Sequence, residues 1–263
     1  MTSSSPYVFR DSEDEPELRR LQQIEAALDP ASKSFLLETA PVGGWKCLEV
    51  GAGAGSIANW LADTVGPAGS VVALDVNPRF LRRDTRANVE IIRQDMREWE
   101  RSGAFDLVHA RYVLIHVPDP ERAIERMVAS LRSSGWIALE EPDFVTARFV
   151  GGATEHAAAF QRVNAAIDAM FRSRGMDPAL GARLPAALGK FGLTPVHVES
   201  EAHLVQGGSP MALMMRASTE QLRAKYVATG LASEDDIEGY LRFSEDPTGW
   251  GIYYATVRVL ARR

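Results

Sequence analysis

The 263-residue sequence predicts an α/β protein built on a doubly wound, seven-stranded, mostly parallel sheet with its last strand reversed, together with a helical lid. Three observations predict this class. Five short apolar runs alternate with helical stretches between residues 46 and 141, the rhythm of parallel strands covered on both faces. A glycine-rich stretch, "GAGAG" at 51–55, joins the first run to its helix. Beyond residue 144 the rhythm stops; helical patterns dominate, and two further strand-like runs follow, which complete a mixed sheet if the last pairs antiparallel with its neighbour.

The elements follow in order. Residues 1–16 are polar, acidic and rich in Ser and Pro, the composition of a flexible arm. Leu18, Leu21, Ile24 and Leu28 recur at helical spacing. Asp29 then reads as an N-cap, with Pro30 opening a second helix that "PVGG" ends. The five strands are "KCLEV" (46–50), "SVVALD" (70–75), "VEIIRQD" (89–95), "FDLVHA" (105–110) and "WIALEE" (136–141). Between them lie "SIANWLADTVG", "PRFLRRDTR" and "PERAIERMVASLRSS", all helical in pattern. Residues 155–175 read as one long helix, 182–193 as a shorter one, 195–205 as a strand, 209–246 as mostly helical, and 250–263 as a closing strand. The expectation is a single domain over 17–263 with lid elements at 17–40, 145–185 and 209–246.

Composition narrows the function. Hydrophobic residues make up 46% and charged residues 24%, with a net charge of −6, which argues against a large nucleic-acid footprint. The single cysteine, Cys47, has no partner for an internal disulfide and fits a reducing cytoplasm. No apolar run is long enough to cross a bilayer, and the N-terminus lacks the basic and apolar regions of a signal peptide. A cytoplasmic protein acting on a small molecule, as monomer or homodimer, is expected. His156, His197 and His203 have no metal-ligand spacing, so no metal is expected; no P-loop or nucleophile elbow is present. Met211, Met214 and Met215 read as core or lid, and Trp250, Tyr253 and Tyr254 as sheet packing.

The glycine run identifies the ligand chemistry. Glycines at a strand–helix turn let a ligand approach the backbone closely and aim helix N–H groups at it. The dinucleotide spacing G-x-G-x-x-G would need a glycine where Ser56 stands. Glu49, two residues before Gly51, would repel a pyrophosphate but suits an amino group. Asp75 ends the second strand, 24 residues beyond Gly51, where a carboxylate can accept from both ribose hydroxyls. Asp95 ends the third run, where it can accept from an adenine amine while Met96 faces the ring. Amine, ribose and adenine without phosphate describe S-adenosylmethionine.

With "LEVGAGAGSIANWLA", "VVALDVNPRFL", "RQDM" and "FDLVHARYVLIHVPDPERAIERMVASLRSSGWIALEEPDF" in this order, the chain resembles the class I S-adenosylmethionine-dependent methyltransferases, in the style of a bacterial secondary-metabolite branch. The likeness is close over about 45–144. It implies the Rossmann-like methyltransferase fold, S-adenosylhomocysteine as product, and a site in which Glu49, Gly51, Ala52, Gly53 and Gly55 surround the methionine part. It further implies that Asp75 holds the ribose, that Val76 and Asn77 border the adenine, and that Asp95 and Met96 complete that pocket. His109, Ala110 and Arg111 would face the sulfonium, and His116 would lie near the mouth. The turn before the fifth strand, Ser133-Ser134-Gly135, replaces the family's more usual Pro-Gly-Gly.

The implied reaction is in-line methyl transfer to an O, N or C nucleophile of a small organic molecule. His116 is the candidate base or polar clamp, since imidazole titrates close to neutrality. Glu140, Glu141 and Asp143 follow the fifth strand at the same rim, and strand alternation turns one of the two glutamates away. Competing readings are methylation of RNA or protein, cofactor binding without catalysis, and NAD-dependent oxidoreduction; the last leaves Asp95 without a role.

Overall fold

The computed structural model describes residues 7–9, 12–83 and 85–263. The first element, α1 (Asp14–Leu37), is one helix with Pro30 inside it, so the expected break at Asp29 is absent. Proline in a helix interior forfeits a hydrogen bond and costs about 3 kcal/mol. The helix continues because Leu28, Ser32, Phe35 and Leu36, on both sides of Pro30, are all buried. Asp29 does not cap; its carboxylate accepts from Arg111 and from Ser56 Oγ, each at 3.0 Å. Within the expected arm, Val8 and Phe9 are buried. Tyr7 Oη donates to Glu17 at 2.6 Å, and the Arg20 guanidinium lies over the Phe9 ring.

The remaining elements are β1 (Lys46–Val50), α2 (Ser56–Val65), β2 (Ser70–Asp75), β3 (Val89–Arg93), β4 (Phe105–Arg111), α3 (Pro120–Ser130), β5 (Leu131–Asp143), β6 (Arg148–Gly151), α4 (Glu155–Arg172), α5 (Leu180–Gly189), β7 (Thr194–Glu201), β8 (Val205–Gln206), α6 (Pro210–Val227), α7 (Glu234–Glu245), β9 (Trp250–Ile252) and β10 (Ala255–Arg262). The stretch 78–83 is a 3-10 helix, not an α-helix. No described helix is long and apolar enough to cross a membrane. The chain divides into two compact units.

The first unit, residues 28–141, 181–199 and 257–263, carries the sheet. Strand order is β3-β2-β1-β4-β5-β10-β7, mixed, with one strand reversed. β1, β2, β3, β4 and β5 pair in parallel. At the β10 end, Arg263 N–H donates to Gly135 O while Ser134 N–H donates to Arg263 O, the exchange expected of antiparallel neighbours. Ser134 sits in the left-handed region at φ 66°, making the turn that more often uses glycine. Register sorts the side chains. Cys47, Val71, Ala73, Leu107 and Ala138 share one apolar cluster with Phe35 and Leu36 of α1 and Ile57, Leu61 and Val65 of α2. Each fully buried Val, Leu, Ile or Phe side chain among them stabilises the fold by roughly 1.5–3 kcal/mol. Leu48, Val72, Val108 and Ile137 are also buried and point to the opposite face.

The second unit takes the chain before residue 28 together with 142–180 and 200–256. Its helices α4, α6 and α7 pack together, and β6, β9 and β8 form a separate three-stranded sheet. Two expected strands therefore divide. The run 195–205 becomes β7 and β8, and 250–263 becomes β9 and β10. The cause in the second case is the pair Tyr253-Tyr254. Tyr253 packs against Phe160, Tyr240 and Phe243, and Tyr254 meets Phe144 edge-on. These two rings thus belong to a helical core and not to sheet packing. Met214 and Met215 are buried in the same unit.

Candidate active site

The sheet order reverses direction between β1 and β4: the chain proceeds outward through β2 and β3, then returns to β4 and β5. In open α/β sheets the crevice at such a switch point, beyond the carboxyl ends of the strands, is where ligands bind. The glycine turn and the turn after β4 lie there. Gly51, Gly53 and Gly55 all have positive φ, at 67°, 58° and 102°. Gly55 caps α2 from the left-handed region, which a side chain would strain. Gly51 is confined as well, since a Cβ on it would sit 2.2 Å from Val113 Cγ2. Ala52 between them is buried.

Asp75 reaches this turn. Its Oδ2 accepts from Gly53 N–H at 3.0 Å and its Oδ1 from Asn77 N–H at 2.7 Å. The half-buried carboxylate is thereby fixed at the lip of the glycine turn, with Val76 half-buried and Asn77 exposed beside it. Asp95, one strand further out, accepts from Arg97 N–H at 2.9 Å and pairs with the Arg97 guanidinium at 2.7 Å. Burial would raise its pKa, but these contacts outweigh that and hold it below the usual value. Met96, which begins the short 3-10 turn capped by Asp95, is buried.

Behind the turn runs a chain of charges, buried except for half-buried Glu199 at its far end. His109 is fully buried, with Nδ1 2.6 Å from Glu49 Oε2 and Nε2 3.0 Å from Glu140 Oε1. Glu140 Oε2 accepts from Arg258 Nε at 2.8 Å and from Ser32 Oγ at 3.0 Å; Arg258 donates onward to Glu199 at 2.8 Å. Burial alone would lower the pKa of His109, but Glu49 and Glu140 overcome it and bring it to about 9. Both ring nitrogens then carry protons and donate. Burial likewise opposes the charge on Glu140, yet His109, Arg111 and Arg258 hold it down at about 2. The alternation of sign is Glu49, His109, Glu140, Arg258, Glu199. Arg111 turns toward α1, donating to Ser32 at 2.9 Å and to Asp29 at 3.0 Å. Ala110 is buried in β4.

Glu141 lies on the other face of β5 and is fully buried. Its carboxylate accepts three successive backbone N–H groups, from Val113 at 2.9 Å, Leu114 at 2.7 Å and Ile115 at 3.1 Å. Burial pushes its pKa up to about 8, against those three donors. The 3-10 turn Leu114–His116 therefore starts on Glu141, and half-buried His116 ends it. Sequence reasoning named Glu49, His109, Glu140 and Glu141 as site residues without seeing that they contact structure. It missed Ser32, Glu199 and Arg258. A charged residue in the apolar run "TVRVLA" was the available signal.

A methyltransferase domain family profile matches residues 17–198. The chain belongs to that family. Methyltransferase str2 of Strobilurus tenacellus is 27% identical over 233 residues, 81% of this chain and 82% of the relative. Methyltransferase str3 of the same fungus is 32% identical over 104 residues, 39% of this chain and 37% of the relative. These relatives are fungal and carry no support for a bacterial branch. Among solved structures, a Haemonchus contortus phosphoethanolamine N-methyltransferase bound to S-adenosyl-L-methionine superposes with TM-score 0.60 at 16% identity, covering 100% of this chain and 60% of that one. The [4+2]-cyclase SpnF matches with TM-score 0.52 at 16% identity, covering 89% and 80%. The protein is an S-adenosylmethionine-dependent methyltransferase with the Rossmann-like fold of its class. The turn fits this cofactor: Asp75 offers a fixed carboxylate beside three left-handed glycines.

Proposed function

We propose that this methyltransferase acts on an O, N or C nucleophile of a small organic molecule, a secondary metabolite by analogy with its fungal relatives, in the cytoplasm, as a monomer or homodimer. The observation that carries the site assignment is the Asp75 carboxylate held on Gly53 N–H at the mouth of the glycine turn. Gly51, Ala52, Gly53 and Gly55 would hold the methionine part, Asp75 the ribose, and Val76, Asn77, Asp95 and Met96 the adenine. Glu49 faces His109, so we assign Glu49, His109 and Glu140 to a rigid charged floor beneath the turn and not to the reacting atoms. Arg111, drawn to Asp29, keeps its charge away from the sulfonium.

When bound, the cofactor supplies a methyl group on a good leaving group, so alignment and exclusion of water dominate over covalent help. His116 would serve as base or clamp for the acceptor, with Glu140 and Glu141 as supports. The lid elements 17–40, 145–185 and 209–246 carry acceptor selectivity in this reading. The test is calorimetric titration with S-adenosylmethionine, S-adenosylhomocysteine and NAD in parallel, in wild type and Asp75→Ala. Hydrogen bonds to a charged group contribute about 1.5–3 kcal/mol, so Asp75→Ala weakens binding roughly tenfold to a hundredfold. Unchanged affinity in that variant removes Asp75 from the ribose, and binding of NAD alone refutes the assignment as a whole.

A further inference from the structure

The turn after β4 has no cap of its own. Tyr112 enters it at φ 55°, a left-handed conformation uncommon for a bulky residue. Val113, at the cap position, has no side chain able to accept. A helical start leaves its first N–H groups without intrahelical partners, and three such groups point into the protein here. Glu141 meets all three from the neighbouring strand. On the outer side of the same turn, Val113 packs so closely on Gly51 that no side chain fits there. One buried carboxylate is thus linked, through a single residue, to the first glycine of the cofactor turn.

We infer that Glu141 is a positioning residue that fixes the turn 112–116 and, through Val113, sets the wall of the cofactor pocket at Gly51. This rests on the reading of the glycine turn as the cofactor site. The side chain is suited to the task because both of its oxygens accept, Oε1 from Val113 and Leu114 and Oε2 from Ile115. In Glu141→Gln one oxygen becomes an amide nitrogen; with Oε1 kept toward Val113 and Leu114, that nitrogen faces the N–H of Ile115. Glu141→Asp keeps both oxygens. Val113→Ala leaves every backbone bond in place and removes the contact on Gly51.

The experiment is titration of wild type and the three variants with S-adenosylhomocysteine, beside amide hydrogen exchange at residues 113–115. Glu141→Gln is expected to lose about tenfold in affinity, with faster exchange at those amides, and Glu141→Asp to recover most of the loss. Val113→Ala is expected to weaken binding several-fold with exchange little altered, and it serves as the test if Glu141→Gln does not fold. Wild-type affinity in both Val113→Ala and any folded Glu141→Gln would overturn the inference and leave Glu141 a purely internal support. Failure of wild type itself to bind S-adenosylhomocysteine would overturn the cofactor reading instead, and the inference with it.

Discussion

Replacing Glu140 with glutamine changes one atom and tests the buried charge chain. Its carboxylate takes His109 on one oxygen and Arg258 with Ser32 on the other. In Glu140→Gln the carbonyl oxygen can keep Arg258 and Ser32, which turns the amide group toward His109 Nε2. Two donors then face each other unless His109 gives up that proton. Removing one partner of a buried ion pair costs about 3–5 kcal/mol, and the low end applies because His109 can deprotonate and Arg258 retains Glu199. The pKa shows the same coupling: against burial, Glu49 and Glu140 together lift His109 from 6.5 to about 9. At about 1.4 kcal/mol per pH unit, that gap is on the order of 3 kcal/mol, which the two carboxylates share.

The sign follows from the raised value. The contribution of His109 is fully present below pH 6.5 and is lost as pH rises toward about 9. Glu141, raised to about 8, has the same sign between 4.5 and 8 but is common to both proteins and cancels in their difference. The assay is thermal unfolding followed by circular dichroism at a series of pH values. At pH 6, Glu140→Gln should melt roughly 6–12 °C below wild type, from about 2–4 °C per kcal/mol for a chain of this size. The gap should narrow toward pH 9. A gap that does not vary with pH, or none at pH 6, would refute the account of His109 as a buried cation.

Two further outcomes can be measured with the same protein. Gly51→Ala combines the left-handed φ with a 2.2 Å approach to Val113 Cγ2, so S-adenosylhomocysteine binding should fall at least about tenfold; calorimetry with unaltered affinity would show that the turn can move aside. His116→Ala should lower the methyl-transfer rate by about a hundredfold if it acts as a base, with cofactor affinity retained. A lowered affinity with normal turnover would place His116 on the cofactor instead.

β1, β2 and β4 were legible because they are buried on both faces and so read as nearly continuous apolar runs. β1 and β2 begin and end where the runs "KCLEV" and "SVVALD" do. Legibility declined where tertiary contacts decide. Asp29-Pro30 has the local chemistry of a helix start, yet the buried face of α1 and the demand of Arg111 for Asp29 keep the helix whole. Tyr253-Tyr254 fits a strand, and the aromatic core of the second unit takes both rings. At the site, the positions of Asp75 and Glu49 followed from strand ends alone. Which group each carboxylate meets depends on strand order, and no spacing in the chain reveals that His109 comes between Glu49 and Glu140.

The same buried ladder has a consequence for how the sheet is assembled. Strand pairing slipped by one residue sends every side chain of that strand to the opposite face. For β4 such a slip would take the His109 cation away from Glu49 and Glu140, leaving Glu49 against hydrocarbon and Glu140 with Arg258 and Ser32 alone. An unpartnered buried charge costs several kcal/mol, a large share of the stability of any domain. Glu49, His109, Glu140 and Arg258 therefore act as a lock and key among four adjacent strands, β1, β4, β5 and β10. They admit the native neighbours in the native register and penalise mis-threaded alternatives before any cofactor has arrived.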